Sequence, residues 1–208
     1  MTPTSFPEEI VKRQALLVEQ KHELAEIFGF ETRNRYVVSS EDGVAVAYAA
    51  EQQKGWSGFL MRQFLGHWRT FDLHFFDLGR KPILVAHHPF RWYFQRLEVS
   101  TAEGRSIGAL QQRFAVLSKR FDVEDATGTA RMTVSSPLWK IWTFPFMKGS
   151  KPVAVVAKKW AGLLAEGFTD KDRFRVEYQD PGLSAEERLL VLAAALFVDL
   201  QYFERKAR

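Results

Sequence analysis

One segment of the sequence, residues 54–69, combines aromatic and basic side chains at helical spacing. Trp56, Phe59 and Trp68 fall on one helical face, and Arg62 and Arg69 lie close to that face along the chain. An aromatic face next to basic side chains is typical of a helix that lies in a membrane interface. The same segment also fits a helix that covers one end of the protein without touching lipid, and its sequence leaves both readings open.

Further basic residues follow an aromatic stretch that begins at Trp139. Each basic side chain near an anionic membrane surface contributes on the order of 1 kcal/mol to binding, and salt weakens this attraction. The candidate lipid contacts are therefore Trp56, Phe59, Arg62, Trp68, Arg69, Lys148, Lys151, Lys158 and Lys159.

Several residue patterns that would support catalysis are missing from the sequence. It has no cysteine, no Gly-rich phosphate loop and no His-Glu-x-x-His pair. His87 and His88 are adjacent, and neighbours on a strand point to opposite faces, so these two side chains do not form a metal pair. We expect a protein that is not an enzyme and that requires no cofactor.

The most distinctive structural element is an apolar segment near the C-terminus. Residues 189–198 are apolar on every side of a helix, and Arg188 and Asp199 bound them. Such a helix is either enclosed by protein or placed in a membrane. Because a membrane span needs about 20 apolar residues, the length favours a helix buried inside the protein. Asp199 must then find a hydrogen-bond partner within the fold.

From Arg35 onward, apolar and polar residues alternate with the period of β-strands. Pairs of such segments are joined by short turns that contain Gly43, Gly79, Gly104 or Gly128. About a dozen short strands at regular spacing predict a mainly β fold, either a sandwich or a barrel. A closed antiparallel barrel has no exposed edge, and its lumen can hold the apolar helix.

The N-terminal residues 1–30 are predicted to form an amphipathic helix outside this β domain. Ile10, Leu16 and Leu24 recur at helical spacing, and Gly29 provides a stop signal. Residues 31–208 then form the barrel domain together with its central C-terminal helix.

Charge and targeting signals narrow the expected partners. The chain of 208 residues has a formal net charge of +4, which suits an anionic surface. Binding to nucleic acid would rest on this charge alone and is not expected. The first residues lack the basic and apolar parts of a signal peptide, and the absence of cysteine excludes palmitoylation. We therefore expect a cytoplasmic protein.

Residues 153–174 make the sequence distinctive. The characteristic positions are Lys159-Trp160, Gly162, Glu166, Phe168-Thr169-Asp170, Asp172 and Phe174, and the apolar helix follows and ends in Asp199-Leu-Gln-Tyr-Phe-Glu204. In these positions the chain resembles the phospholipid scramblase family, part of the tubby-like superfamily that includes LURP-one-related proteins. The chain lacks the proline-rich N-terminal region and the cysteine cluster of eukaryotic members, which fits a bacterial-type member.

The resemblance implies a tubby-like closed antiparallel β-barrel of about twelve strands around a buried hydrophobic C-terminal helix. It also implies phospholipid binding and ATP-independent scrambling of lipids between leaflets. The expected partner is an anionic phospholipid membrane surface, which the protein would bind peripherally on the inner face of the plasma membrane. The alternative is a soluble barrel of the same fold that acts as a protein-interaction or regulatory module without lipid transport.

The resemblance also points to a calcium segment that begins at Asp170. A calcium loop of the EF-hand type needs oxygen ligands at several alternate positions. Here Asp170 and Asp172 are the candidate ligands, but Phe174 occupies the next ligand position and Arg175 the position that requires glycine. The alternation of Phe174, Val176 and Tyr178 instead indicates a strand, and Asp170 then shapes the turn that leads into it.

Overall fold

The computed structural model describes residues 6–21, 32–52, 70–137, 142–159 and 173–200. These residues form two α-helices and twelve β-strands. The helices are α1 (Phe6–Lys12) and α2 (Ala185–Val198). The strands are β1 (Ala15–Gln20), β2 (Thr32–Ser39), β3 (Ala45–Gln52), β4 (Phe71–Phe76), β5 (Pro82–His88), β6 (Arg96–Thr101), β7 (Ser106–Arg113), β8 (Ser118–Asp125), β9 (Ala130–Pro137), β10 (Thr143–Lys148), β11 (Lys151–Lys159) and β12 (Arg173–Tyr178).

The twelve strands form one closed antiparallel barrel in which each strand pairs with its neighbours in sequence. The first and last strands close it, with Ala15 opposite Glu177 and Val18 opposite Phe174. Alternate residues point inward, as in β12, where Phe174, Val176 and Tyr178 are buried. The predicted mainly β fold, with a closed barrel of about twelve strands, is confirmed.

Helix α2 occupies the lumen of this barrel. Every residue from Arg188 to Val198 is buried, because the inward faces of the strands surround the helix. Near its C-terminal end the Phe197 ring packs against Phe121 and His88, with ring centroids 6.0 and 5.6 Å away. The Tyr36 hydroxyl donates a hydrogen bond of 2.8 Å to Oδ2 of Asp199. The predictions of a buried C-terminal helix and of a hydrogen-bond partner for Asp199 are confirmed.

The structure corrects the N-terminal helix predicted over residues 1–30. Helix α1 ends at Lys12, and Ala15–Gln20 form β1, which is part of the barrel itself. Leu16 and Val18 are buried, and their spacing of two residues is that of a strand face. Within the described residues, the barrel therefore begins before the boundary expected at residue 31.

The two ends of the barrel are built differently. One end, which we call the short-turn end, carries the tight hairpin connections 40–44, 77–81, 102–105, 126–129 and 149–150. Gly43, Gly104 and Gly128 have positive φ in these turns, a conformation that glycine adopts without strain. The other connections between strands start and finish at the opposite end of the barrel, which we call the long-connection end. Helix α2 enters at the short-turn end and finishes at the long-connection end.

Candidate functional site

Six large apolar side chains are exposed at the long-connection end, with fractional exposures between 47% and 81%. They lie on the β5–β6 and β7–β8 connections. We call them the apolar rim: Trp92, Tyr93, Phe94, Phe114, Val116 and Leu117. Exposed apolar clusters on a folded protein mark sites where another protein or a membrane binds.

The two connections that carry the apolar rim are joined into one surface. Strands β6 and β7 pair directly, and the backbone N–H of Gln112 donates to the carbonyl of Gln95 over 2.8 Å. The Gln95 N–H donates to Oε1 of Gln112 over 2.9 Å, and the Gln111 side-chain amide donates to the Phe94 carbonyl over 3.3 Å. These bonds connect the end of one connection to the strand that leads into the other.

A buried carboxylate links two arginines on the outer face of the barrel, an arrangement that we call the Glu124 clamp, and Glu124 itself lies near the short-turn end of β8. Glu124 accepts from Nη1 of Arg96 over 2.8 Å and from Nη2 of Arg113 over 2.9 Å. Arg96 follows the β5–β6 connection directly, and Arg113 precedes the β7–β8 connection. Charged hydrogen bonds of this length are among the stronger ones in proteins, so Glu124 fixes the bases of both connections.

Positive charge remains at this edge after the acids are paired. Asp122 accepts from Nε of Arg113 over 2.7 Å, and Glu98 from Nε of Arg96 over 3.2 Å. Arg91 and Arg120 are exposed, and within the described ranges neither forms an ion pair. The apolar rim is therefore bordered by two cations that are not neutralised by described carboxylates.

The inner wall of the long-connection end is polar on one side. The Gln20 amide donates to Oδ1 of Asn34 over 3.0 Å, and the Asn34 amide donates to Oε2 of Glu51 over 2.5 Å. Asn34 and Glu51 are buried. A buried carboxylate requires such donors, because burial without them costs several kcal/mol of stability. This polar wall lies beside the C-terminal end of α2, where Tyr36 bonds to Asp199.

The predicted lysines do not form one patch. Lys148 pairs with Glu187 over 2.7 Å and Lys151 with Asp180 over 3.0 Å, both at the short-turn end. Lys158 lies at the long-connection end on the inner face, with its Nζ 5.4 Å from the centre of the Trp142 ring. Lys159 belongs to β11, opposite Arg173.

The other predicted site residues lie outside the described residues. These are Trp56, Phe59, Arg62, Trp68 and Arg69, and the candidate calcium ligands Asp170 and Asp172. Strands β3 and β4, which flank the first group, end and begin at the long-connection end. Among the residues that the structure does describe, no three acidic or histidine side chains are grouped so that they could hold a metal ion.

The segment Gly104-Arg-Ser-Ile-Gly108 matches the Gly-x-Ser-x-Gly pattern of serine hydrolases. In those enzymes the serine lies on a sharp turn from a strand into a helix. Here Ser106 begins β7 after a hairpin turn, so the local structure differs from a nucleophile elbow.

Sequence reasoning missed the apolar rim, although a signal was present. Residues 92–94 and 114–117 are consecutive apolar residues between two strands, where turns and loops are usually polar. The run before β6 also interrupts the alternation of the neighbouring strands. Such a run in a predicted loop indicates either burial by another element or an exposed binding surface.

Carboxylates with a lowered pKa lie at the short-turn end. A hydrogen bond from the Thr127 hydroxyl, followed by one from Arg131, lowers the pKa of Asp125. The backbone N–H of Gly182 and then Lys151 lower the pKa of Asp180, and the Ser40 hydroxyl lowers that of Asp42. These groups stabilise turns and offer no arrangement for acid–base catalysis.

Fold and site together define a closed β-barrel that encloses its own C-terminal helix and presents an apolar and basic rim at one end. The family model for scramblases matches residues 2–205 of this chain. The chain is 24% identical to human phospholipid scramblase 2 over 205 residues, covering 91% of this chain and 67% of that protein. It is 26% identical to mouse phospholipid scramblase 1, covering 91% of this chain and 61% of the relative.

Among solved structures, the X-ray structure of a protein from Arabidopsis thaliana matches 93% of this chain and 92% of that chain, with 12% identity and a TM-score of 0.47. The family match spans nearly the whole chain, and this chain therefore belongs to the scramblase family. The resemblance inferred from the sequence is confirmed.

Proposed function

We propose that this protein binds the anionic phospholipid surface of a membrane from one side, peripherally on the cytoplasmic face of the plasma membrane, and promotes ATP-independent exchange of phospholipids between leaflets. The observation that carries the proposal is the apolar rim, because apolar and aromatic side chains lie next to Arg91 and Arg120, which no described carboxylate neutralises, and this combination matches the chemistry of an anionic lipid interface. Membership of the scramblase family also supports a function on phospholipids.

The enclosure of α2 in the barrel supports binding from one side. Within the described ranges, neither helix combines the length and the hydropathy that crossing a bilayer demands. Helix α2 contains 14 residues, whereas a helical span needs about 20. To contact lipid tails it would also have to leave the barrel. We therefore propose that lipid exchange results from disturbance of the bilayer by the docked long-connection end.

The first test is co-sedimentation of the protein with vesicles. Phosphatidylcholine vesicles are compared with vesicles that also contain phosphatidylserine, at low and high salt and with and without calcium. We expect binding to the anionic vesicles that weakens as salt rises, since salt screens exposed charges. Binding that depends on calcium would support ligands such as Asp170 and Asp172. Absence of binding to any vesicle would refute the proposal.

Lipid exchange needs a separate measurement. Vesicles with a fluorescent phospholipid in both leaflets are incubated with the protein, and a membrane-impermeant reductant then bleaches the outer leaflet. We expect the bleached fraction to rise above one half, because exchange carries inner lipids to the outside. A fraction that stays at the level of protein-free vesicles would leave a lipid-binding protein without scrambling activity.

The exposed apolar rim also supports a second candidate, a protein-interaction module. Apolar aromatic side chains are enriched at protein interfaces as well as at membrane interfaces. The vesicle experiment separates the two, because a protein-interaction module would remain in the supernatant under all conditions.

A further inference from the structure

We infer that the apolar rim is the part of the protein that enters the membrane interface, with Arg91 and Arg120 contacting phosphate groups of anionic lipids, so that the barrel stands end-on on the bilayer. This inference rests on the proposed function and specifies its docking surface. Nothing in the amphipathic patterns of the sequence pointed to these two connections.

The first argument is the shape and chemistry of the surface. The rim side chains lie on loop tips at one end of the barrel, and Tyr93 and Phe114 are 81% and 75% exposed. Convex loop tips that carry Trp, Tyr and Phe fit a deformable lipid surface, where these rings settle at the level of the headgroups.

The second argument is charge complementarity. The acids near the rim, Asp122 and Glu124, are both bonded to Arg113, and Glu98 is bonded to Arg96. Arg91 immediately precedes Trp92, and Arg120 lies opposite Arg113 in the β7–β8 pair. The guanidinium groups at the border of the rim can therefore meet phosphate oxygens, which they bind with two parallel hydrogen bonds.

The third argument is that the surface is already formed before it meets a ligand. The Gln95–Gln112 hydrogen bonds and the Glu124 clamp hold both connections in one arrangement. A surface that is already ordered loses little conformational entropy when it binds.

End-on docking has a consequence for the rest of the long-connection end. The C-terminal end of α2 and the polar inner wall of Asn34 and Glu51 then face the headgroup layer. The ends of β3 and β4, which flank the aromatic segment 53–69, face the same layer. The short-turn end points away from the membrane.

The inference is tested with two double variants and two matched controls. Tyr93→Ser/Leu117→Ser removes apolar surface from the rim, and Val44→Ser/Leu78→Ser removes apolar residues of similar exposure, 55% and 56%, at the short-turn end. Arg91→Gln/Arg120→Gln removes two rim charges, and Arg80→Gln/Lys81→Gln removes two charges from a turn at the other end. Binding of all four variants is measured by co-sedimentation with the same phosphatidylserine-containing vesicles that are used for the wild type.

We expect each rim variant to weaken vesicle binding by at least roughly tenfold, which corresponds to about 1.4 kcal/mol, and each control to stay within about twofold of the wild type. If the wild type binds and the rim variants bind equally well, the docking surface is elsewhere and the inference is wrong, while the proposed function stands. If the wild type binds no vesicle, the proposed function itself fails.

The depth to which tryptophan enters the bilayer gives a second measurement, which does not require that a variant lose affinity for the vesicles. Trp92→Phe keeps an aromatic ring in the rim but removes its fluorescence. With brominated lipids in the vesicles, we expect quenching of wild-type tryptophan fluorescence that is clearly reduced in Trp92→Phe, although binding is retained. Equal quenching in both proteins would place the inserted tryptophan outside the rim and overturn the inference.

Discussion

The two ends of the barrel are formed by the same strands but differ in the length of their connections and in the side chains that they expose. At the short-turn end, the hairpins close within a few residues, and three ion pairs join the turns to the region around the start of α2: Lys148–Glu187, Lys151–Asp180 and Arg105–Glu186. At the long-connection end, large apolar side chains face solvent, together with Arg91 and Arg120, which form no ion pair with the residues that the structure describes. The comparison supports the proposal that the long-connection end binds a membrane, while the ion pairs of the short-turn end stabilise its turns.

The path of α2 connects the two ends. At the short-turn end, Ser184 caps the helix, and the Arg188 guanidinium lies 4.7 Å from the centre of the Tyr178 ring and donates to the Arg13 carbonyl over 2.9 Å. This anchors the start of the helix to α1 and the last strand. Its C-terminal end lies beside polar groups, including the Tyr36–Asp199 hydrogen bond. The C-terminal end of α2 therefore lies at the same end of the barrel as the surface that we propose binds lipid.

The strongest test of this proposal compares a core ring with a rim ring. Phe197 is 1% exposed and packs between Phe121 and His88. Truncation to alanine removes buried surface and leaves a cavity, so we expect Phe197→Ala to lower the free energy of unfolding by about 3–5 kcal/mol. Phe114→Ala in the rim should change it by less than about 0.5 kcal/mol. Urea unfolding followed by circular dichroism measures both, and equal losses would contradict the proposal.

A glycine in the barrel wall, Gly108, provides a second test of the comparison between stability and vesicle binding. Gly108 has φ +148°, and a Cβ there would come within 2.2 Å of the Glu124 carbonyl and 2.9 Å of Leu190 Cδ1. We expect Gly108→Ala to cost about 1–3 kcal/mol of stability, since a strained backbone and displaced neighbours add together. Because Glu124 clamps the rim, vesicle binding should fall as well.

The matched control for this substitution is Gly104→Ala. Gly104 also has positive φ, but no heavy atom lies within 4 Å of the position of its Cβ. Urea unfolding should therefore show a smaller loss for Gly104→Ala, and vesicle binding should be unchanged. A loss as large as that of Gly108→Ala would show that backbone conformation, and not the close approach of β8 and α2 to Gly108, sets the cost.

The helix cap at the short-turn end should have a smaller effect. The backbone N–H of Glu187 donates to the Ser184 hydroxyl over 3.1 Å, and the Ser184 N–H donates to the Glu187 carboxylate over 2.9 Å. Loss of such a capping box costs about 1 kcal/mol, which is what we expect for Ser184→Ala in urea unfolding. Ser135→Ala, at an exposed position of β9, is the control and should have no measurable effect. Vesicle binding should be unchanged in both, because the cap lies at the end that faces away from the membrane.

Much of the fold could be predicted from the sequence because its signals are local. Residues 189–198 are apolar without a polar face, which predicts a helix enclosed by protein. Turn glycines such as Gly43 and Gly104 mark the hairpins. Strand β1 was misread because Leu16 fits both the helical and the alternating period, and only its pairing with β12 decides.

The candidate site was harder to predict because it depends on contacts between distant residues. The partners of Lys148 and Lys151 come from the start of α2 and the turn before it, far along the chain. Whether Phe114 or Val116 is covered depends on how neighbouring connections lie in space. The sequence analysis therefore selected lysines such as Lys148 and Lys151, which pair with carboxylates at the short-turn end, and missed Arg91 and Arg120, which border the apolar rim.

The smallest expected effect concerns pH and the turn carboxylates. The Thr127 hydroxyl and Arg131 lower the pKa of Asp125 in the folded protein. A carboxylate with a lowered folded-state pKa stabilises the fold above its unfolded pKa of about 3.9, and this contribution is lost as pH falls toward the folded-state value. Asp125 lies in a turn at the protein surface, where solvent screens its interactions, so the effect should be smaller than that of any substitution above.

We therefore expect the stability of the wild type to fall more steeply between neutral pH and strongly acidic pH than that of Asp125→Asn. Urea unfolding at a series of pH values measures the difference. Asp180 and Asp42 have lowered pKa values for similar reasons, so the wild-type slope should reflect the short-turn end as a whole. Identical slopes for wild type and variant would show that the Asp125 hydrogen bonds do not stabilise this turn. The rim variants, which contain no altered acid, should follow the wild-type pH profile, because Asp125, Asp180 and Asp42, whose pKa values are lowered, lie at the opposite end of the barrel.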